Sequence, residues 1–459
     1  MSIYKECDIR GLYEDELRED DATAIGKAIG TILGGTEVVV GGDTRFSTES
    51  LKTALIIGLT STGCSVTDIG TVTTPVFYFA RSFLGTAGGV MVTASHNPVG
   101  YNGFKIVLED APIEPRHIQR IEELVSSGRF SAGEGRYRRQ SVTDEYHRMI
   151  RELVDTTREL HLVVDCGNGA ASEVAPAALR AQGHRVDCLY CRYEKDFPNR
   201  NPNPSKEEHL SDLKSEVLAR GADLGVAFDG DGDRVVFVDN AGRYLEGEST
   251  FVLLTRHYLE HSEAGARVVY DGKSSSVVEQ AILEGGGVPV RERSGHAFIK
   301  KRFLDEGAVL AGEVSGHFFF HEIGHDDGIF AAVKMTEILS RDSRTLAEIV
   351  DTTIERRLIT PDVRIAMEPE SVDTVLAHVE RVGTRHELSR LDGVRIDFAD
   401  GWIMVRRSVT EPCITVRLEA DTLDAADAIS SEVFVGLDES IHREVMASFK
   451  VDPVSKVLH

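Results

Sequence analysis

The sequence predicts an α/β protein of three related units, completed by a fourth unit of α+β type. Three observations predict it. Across the first three quarters of the chain, short apolar runs rich in β-branched residues alternate with longer amphipathic segments. One arrangement, an opening strand that ends in a glycine turn and a later strand that ends in a polar loop, recurs three times. Its spacing of about 100 residues marks a domain-scale repeat rather than a solenoid period. The final stretch abandons that arrangement for strands that read as antiparallel partners beside helices. A length of 459 residues suits about three or four domains. Boundaries are expected near 148, 247 and 362, giving units 1–148, 149–247, 248–362 and 363–459.

In the first unit, Glu37-Val38-Val39-Val40 is a buried strand running into Gly41-Gly42-Asp43. Its later strand, Gly89-Val90-Met91-Val92-Thr93, runs into Ala94-Ser95-His96. The second unit opens with His161-Leu162-Val163-Val164-Asp165 and the turn Cys166-Gly167-Asn168-Gly169, and its later strand, Leu224-Gly225-Val226-Ala227-Phe228, runs into Asp229. The third opens with Arg267-Val268-Val269-Tyr270-Asp271-Gly272-Lys273 and later runs Ala308-Val309-Leu310-Ala311 into Gly312-Glu313. Ligands of open α/β sheets gather beyond the carboxyl ends of strands, where all three polar loops stand. In the fourth unit, residues 371–379 read as a helix, 401–406 and 413–419 as paired strands, and 424–429 as the start of another helix.

Charge narrows the function classes. Against 51 Lys+Arg stand 75 Asp+Glu, a net of −24. That field repels polyanions and excludes a nucleic-acid partner, while a local basic pocket can still take a small phosphorylated ligand. No apolar run reaches the ~18–20 residues of a membrane span. The charged N-terminal stretch lacks the apolar core of a signal peptide, so a cytoplasmic location is expected. Six cysteines, at 7, 64, 166, 188, 191 and 413, are too sparse for a disulfide scaffold. The CxxC spacing of Cys188 and Cys191 has no second pair to complete a zinc site, and these read as ordinary strand and loop residues in a reducing compartment. Gly167-Asn168-Gly169-Ala170-Ala171-Ser172 nearly matches a dinucleotide fingerprint, but Ser172 replaces the third glycine and a tight strand-to-helix turn suffices.

The sharpest chemical signal is Asp229-Gly230-Asp231-Gly232-Asp233-Arg234. Alternating carboxylates in a glycine-rich turn can converge on one hard cation. An EF-hand loop would need Gly at its sixth position and an acid at its twelfth, where this chain has Arg234 and Asn240. Arg234 fits a phosphate rather than a second metal. Thr93-Ala94-Ser95-His96-Asn97-Pro98 sets a serine, an imidazole and an amide at a strand exit, with Lys105 downstream. The serine needs a base or a metal to become a nucleophile. Its flanks, Thr93 and Asn97, exclude the hydrolase nucleophile elbow, and the loop alone reads equally as a turn of small polar residues. Glu313, Ser315 and His317 put a carboxylate, a hydroxyl and an imidazole on one tight loop, a mixture that suits sugar hydroxyls. Asp326-Asp327-Gly328 reads as a helix start. Residues 406–412 form a basic, hydroxyl-rich turn that reads either as a solvated hairpin or as a phosphate holder.

Together these motifs, in order and one per unit, resemble the α-D-phosphohexomutase superfamily, most closely its phosphomannomutase/phosphoglucomutase branch. The resemblance runs from Asp8-Ile9-Arg10-Gly11 to the turn at 406–412. It implies three related mixed-sheet α/β domains and a C-terminal α+β domain around a central cleft, with an active-site phosphoserine and Mg²⁺. By resemblance Ser95 is the phosphoserine, and His96 and Lys105 assist its proton transfer and charge. Asp229, Asp231 and Asp233 are the metal ligands, together with an oxygen of phosphorylated Ser95. Arg10 and Arg234 are cations for the transferring group, and Lys273 and His296 lie near the reacting sugar. Glu313, Ser315 and His317 form the sugar loop, and Arg406, Ser408, Val409 and Thr410 hold the non-reacting phosphate. The implied activity converts hexose 1-phosphate to hexose 6-phosphate, for mannose or glucose, with hexose 1,6-bisphosphate as activator and intermediate. A phosphosugar substrate and a monomer or homodimer follow from it. The alternatives are a phosphoglucosamine mutase, a Mg²⁺-dependent sugar phosphatase or a sugar-phosphate sensor. Two departures from the branch pattern stand out: Cys7 where an aromatic is usual, and Val409 where Asn or Gly is usual.

Overall fold

The computed structural model describes residues 2–108, 112–408 and 412–449. Its first three units share one sheet topology. In the first, the central strand Glu37–Gly42 runs parallel to Ser65–Thr71 on one side and Gly88–Val92 on the other. Gly88–Val92 then pairs antiparallel with Tyr101–Leu108. The second unit repeats this with His161–Asp165 between Arg185–Leu189 and Leu224–Phe228, the last antiparallel to Val235–Asp239. In the third, Arg267–Asp271 lies between Val288–Glu292 and Leu310–Gly312, which pairs antiparallel with Phe318–Phe320. The repeat predicted from the sequence is therefore also a repeat of strand order.

Local sequence explains these elements. The central strands are β-branched and buried almost throughout, as strands covered on both faces require. Some of the helices stop where a glycine takes the left-handed conformation, as Gly34 does at φ 65° after Glu19–Leu33 and Gly307 at φ 56° after His296–Glu306. The helix Thr74–Phe83 starts with the Thr73 hydroxyl accepting from the Val76 N–H and proline in its first turn.

The fourth unit is an antiparallel sheet in the order Leu358–Ile359, Cys413–Ala420, Gly401–Arg407, Val394–Phe398, Glu387–Ser389. Val363–Ala366 also pairs with Cys413–Ala420. The helices Pro369–Gly383 and Leu423–Val433 lie against it and give the unit its own core, in which Val379, Ile396, Ile403 and Val416 are fully buried. By contrast, one continuous core crosses the first three units, from Val39 and Phe77 through Tyr146 and Leu162 to Phe251, Phe318 and Phe330. That shared core fixes the three polar loops relative to one another. Among the described residues, no helix is long and apolar enough to cross a membrane.

Candidate active site

In every one of the first three units, the polar loop is the turn from the third parallel strand into its antiparallel partner. The serine loop is the first. Ser95 is buried and sits at φ 49°, a left-handed backbone uncommon for a residue with a Cβ. Its N–H donates to Thr93 Oγ1 at 2.9 Å. Arg45, buried and paired with Asp43 at 3.1 Å, holds the rest of the loop through carbonyls. Its guanidinium donates to the oxygens of Ser95 (2.8 Å), Asn97 (2.6 Å), Pro98 (2.8 Å) and Tyr101 (3.1 Å). The planar fork of an arginine can serve so many acceptors at once. Ser95 Oγ donates to Asp229 Oδ2 at 2.6 Å and lies 3.2 Å from His96 Nδ1. Arg234 and then burial push the His96 imidazole well below its ordinary value, so it stays neutral.

Asp229, Asp231 and Asp233 are fully buried, and one oxygen of each lies within 4.8 Å of the others. Asp229 Oδ1 accepts the N–H groups of Gly232 (2.9 Å) and Arg234 (3.2 Å). Asp231 Oδ2 accepts from Thr74 Oγ1 (2.6 Å) and Lys105 Nζ (2.7 Å), and Lys105 also pairs with Asp233. Burial, then Asp231 and Asp233, push Asp229 well above the ordinary carboxylate range. At Asp231 burial acts the same way, but Lys105 outweighs it and the group stays ionised. Burial works against the charge of Lys105, yet the carboxylates of Asp231 and Asp233 hold the ammonium well above its usual value. Asp231 Oδ1 and Asp233 Oδ1 have no hydrogen-bond partner among the described residues. An orphaned buried acceptor costs roughly 1–3 kcal/mol, and a hard divalent cation would relieve both. The residues present therefore fit such an ion.

The serine and carboxylate loops approach at the level of the backbone. A Cβ on Gly230 would stand 2.5 Å from the Ser95 carbonyl oxygen, so only glycine fits there.

The third loop completes the cluster. Glu313 accepts from Gly295 N–H and Ser315 Oγ, each at 3.0 Å. His317 Nε2 accepts from Arg234 Nε at 3.0 Å. An arginine can only donate, so Nδ1 carries the ring proton. Nδ1 faces Asp326 Oδ2 at 3.3 Å, while Asp326 Oδ1 lies 2.9 Å from His296 Nε2. One buried carboxylate thus orients two imidazoles, and His296, ahead of His317, overrides burial to hold Asp326 well below the ordinary range. Sequence reasoning assigned Asp326 only to a helix start. The N-cap of Gly328–Arg341 is in fact Asp327, whose Oδ1 accepts from Phe330 N–H at 2.8 Å.

The remaining sequence-predicted residues divide. Arg10 joins the serine loop, its Nη1 donating to Asn97 Oδ1 at 2.9 Å. Lys273 Nζ pairs with Asp362 Oδ2 at 2.9 Å. Arg406 Nη1 (3.2 Å) and the Ser294 N–H (3.1 Å) share Asp392 Oδ2, which ties the fourth unit to the segment before His296. Ser408 N–H donates to the Cys413 carbonyl at 3.0 Å. Val409 and Thr410 lie outside the described residues. Arg45, Thr74 and Asp326 were missed, and a buried cation beside a strand-end aspartate was the one signal that could have found Arg45.

Comparison with known proteins agrees with this geometry. Residues 1–132, 144–242 and 246–356 match the phosphoglucomutase/phosphomannomutase alpha/beta/alpha domains I, II and III, and residues 363–434 match the C-terminal domain of the same family. The chain is 39% identical over 437 residues to a phosphomannomutase/phosphoglucomutase of Pseudomonas aeruginosa, covering 94% of each chain. It is 34% identical over 452 residues to a phosphoglucomutase of Neisseria gonorrhoeae, covering 96% of this chain and 97% of the other. A crystal structure of a phosphoglucomutase/phosphomannomutase family protein from Burkholderia thailandensis superposes with a TM-score of 0.88 at 33% identity, covering 97% of both chains. Four matched domains in order, around one serine-carboxylate-histidine cluster, lead to one conclusion: the chain belongs to the phosphoglucomutase/phosphomannomutase family of the α-D-phosphohexomutase superfamily and is a phosphoryl-transferring mutase.

Proposed function

We propose that this enzyme interconverts hexose 1-phosphates and hexose 6-phosphates, with mannose and glucose as the sugars, through a phosphoserine at Ser95 and a hexose 1,6-bisphosphate. The observation that carries the reading is Ser95 Oγ at 2.6 Å from Asp229, inside a buried carboxylate triad beside Lys105. Phosphoryl transfer is chiefly positioning and charge stabilisation, and this cluster supplies both. Asp229, Asp231 and Asp233, with an oxygen of phosphorylated Ser95, would hold a Mg²⁺ ion, whose charge would offset that of the transferring group.

The chain's own residues do the rest. Ser95 Oγ gives up its phosphoryl group to the free hydroxyl of the bound hexose phosphate; the Oγ–P bond breaks and a sugar O–P bond forms. As Arg234 turns from His317 Nε2 to the phosphoryl group, the proton of that hydroxyl passes to the freed lone pair of His317 Nε2, while Nδ1–H is held toward Asp326. Lys105, Arg10 and Arg234 balance charge on the moving phosphoryl group, and neutral His96 stays beside Ser95 Oγ as its hydrogen-bond partner. Glu313 and Ser315 hold ring hydroxyls, with Lys273 and His296 at the sugar. Arg406, Ser408, Val409 and Thr410 hold the phosphate that does not react. Turnover of the bisphosphate within the cleft presents its other phosphate to Ser95, and the same groups then run the transfer in reverse. This reading keeps the expected monomer or homodimer, the domain limits at 148, 247 and 362, and a cytoplasmic location.

Product-resolved turnover of mannose, glucose and glucosamine 1-phosphates, with Mg²⁺ and a trace of hexose 1,6-bisphosphate, tests it. Matching 6-phosphates without free phosphate are expected, with kcat/KM for mannose or glucose above that for glucosamine. Stoichiometric release of inorganic phosphate would make the enzyme a phosphatase instead. Chelation with EDTA should abolish turnover, and activity that survives it would remove the metal from the scheme.

A further inference from the structure

Outside the catalytic cluster, the second unit carries three thiols that the mutase reaction does not use. Cys166 and Cys191 lie just past the carboxyl ends of the neighbouring parallel strands His161–Asp165 and Arg185–Leu189. Their sulfurs stand 3.0 Å apart. Cys166 is buried, Cys191 half-buried, and Cys188 exposed with Arg180 Nη2 3.1 Å from its sulfur. Both turns that bear the pair hold a non-glycine residue in the left-handed region, Asn168 at φ 63° and Tyr190 at φ 53°. They are laced together by Cys166 N–H to Leu189 O (3.2 Å) and Asn168 N–H to Tyr190 O (2.8 Å).

The Cys166 turn also backs the carboxylate loop. Ala170 N–H donates to Gly230 O at 3.0 Å, and a Cβ on Gly169 would lie 2.7 Å from that oxygen. A shift of residues 166–170 therefore moves the loop of Asp229, Asp231 and Asp233.

We propose that Cys166 and Cys191 form a reversible oxidation site, closing to a disulfide that displaces the carboxylate loop. The oxidant is a hydroperoxide. The Cys191 thiolate attacks one peroxide oxygen; the O–O bond breaks, hydroxide leaves, and Cys191 becomes a sulfenic acid. Cys166 sulfur then attacks Cys191 sulfur, the S–O bond breaks, and the Cys166 proton leaves with the hydroxide as water. Two thiols lose two electrons and two protons, and hydrogen peroxide becomes two waters. Cys191 is only half-buried whereas Cys166 is buried, so the hydroperoxide reaches Cys191 first and Cys166 resolves. A disulfide needs a sulfur separation of about 2.05 Å, so closure draws the two turns together by about 1 Å. Cytosolic disulfides of this kind are typically transient and regulatory.

The test oxidises the full chain with equimolar hydrogen peroxide, blocks free thiols, and maps peptides without reduction. A Cys166–Cys191 linked peptide is expected, removed by dithiothreitol, with Cys64 and Cys413 unmodified. Amide exchange of residues 229–234 should rise at least threefold in the oxidised protein, and Cys166→Ala and Cys191→Ser should each abolish that response. A Cys188–Cys191 link, a terminal sulfinic acid on Cys191 with Cys166 still free, or a Cys166–Cys191 link without faster exchange would overturn the proposal. The accompanying fall in turnover rests on residues 229–234 forming the metal site. Faster exchange with unchanged turnover would count against that function and not against the oxidation site.

Discussion

Asp229, Asp231 and Asp233 were legible as a candidate cation site because their spacing in one short motif implies that chemistry, whereas the serine loop alone read equally as a polar turn and only the family resemblance singled out Ser95. Arg45 and Asp326 were not, because their meaning lies in partners far along the chain: Arg45 holds carbonyls about 50 residues on, and Asp326 joins histidines from two different segments. Ser95→Ala removes the group proposed to carry the phosphoryl and should cut turnover by more than about 1,000-fold while leaving hexose-phosphate affinity within about threefold, read by titration calorimetry against kcat. A comparable loss of affinity would instead place Ser95 in binding. Asp326→Asn keeps the shape but removes the charge that orients both imidazoles. It should lower kcat about 10–100-fold with KM little changed; a rise in KM alone would assign Asp326 to sugar binding.

At the scale of elements, the sequence carried the three-fold recurrence because β-branched runs and glycine turns are local signals. It did not carry strand order, which depends on pairing between distant segments. The loop contacts depend on that order: Gly230 sits against the Ser95 carbonyl because both loops leave equivalent strands of adjacent units. Gly230→Ala should push the two loops apart, lowering kcat at least about tenfold, raising the Mg²⁺ concentration for half-activity, and lowering the melting temperature through overpacking. Full activity at unchanged Mg²⁺ would show that the loops do not cooperate. The helix Gly328–Arg341 offers a second test. Burial pushes its N-cap Asp327 up to about 7 from an ordinary value near 3.8. Because the folded state keeps a proton that the unfolded chain releases, this contribution to stability is complete below about pH 4 and is lost as pH rises through about 7. Urea unfolding from pH 4 to 8 should therefore show wild type losing roughly 1–3 kcal/mol more than Asp327→Asn over that range. Parallel curves would reject the buried, protonated cap.

For the whole molecule, the sequence distinguished a fourth unit of another class, because alternating antiparallel strands read differently from buried parallel ones. How that unit docks was not legible, since the contacts pair residues from the third unit with residues up to about 170 positions later. Arg417 Nη2 meets Glu248 at 2.8 Å with both side chains nearly buried, Glu419 accepts from Ser276, and Arg395 Nη1 donates to Gly272 O at 2.9 Å. These hold the strands Val394–Phe398 and Cys413–Ala420 of the fourth unit against the third unit. The net charge of −24 is thus compatible with the proposed bisphosphate intermediate only while the cations of separate units stay gathered around it. Breaking a buried pair at one partner leaves an uncompensated charge and loosens the interface. Glu248→Gln should therefore raise KM for hexose 1-phosphate about 5–20-fold while changing kcat less than about threefold, because no reacting group is touched. It should also increase the fraction of turnovers that release free hexose 1,6-bisphosphate, since the anchor for the distal phosphate is held less firmly while the intermediate turns. Both are read in one experiment, by separating mono- and bisphosphates during turnover of labelled substrate. Unchanged KM and unchanged leakage would mean that the fourth unit is held by its other contacts, and that the Arg417–Glu248 pair is not what keeps the cleft closed around the intermediate.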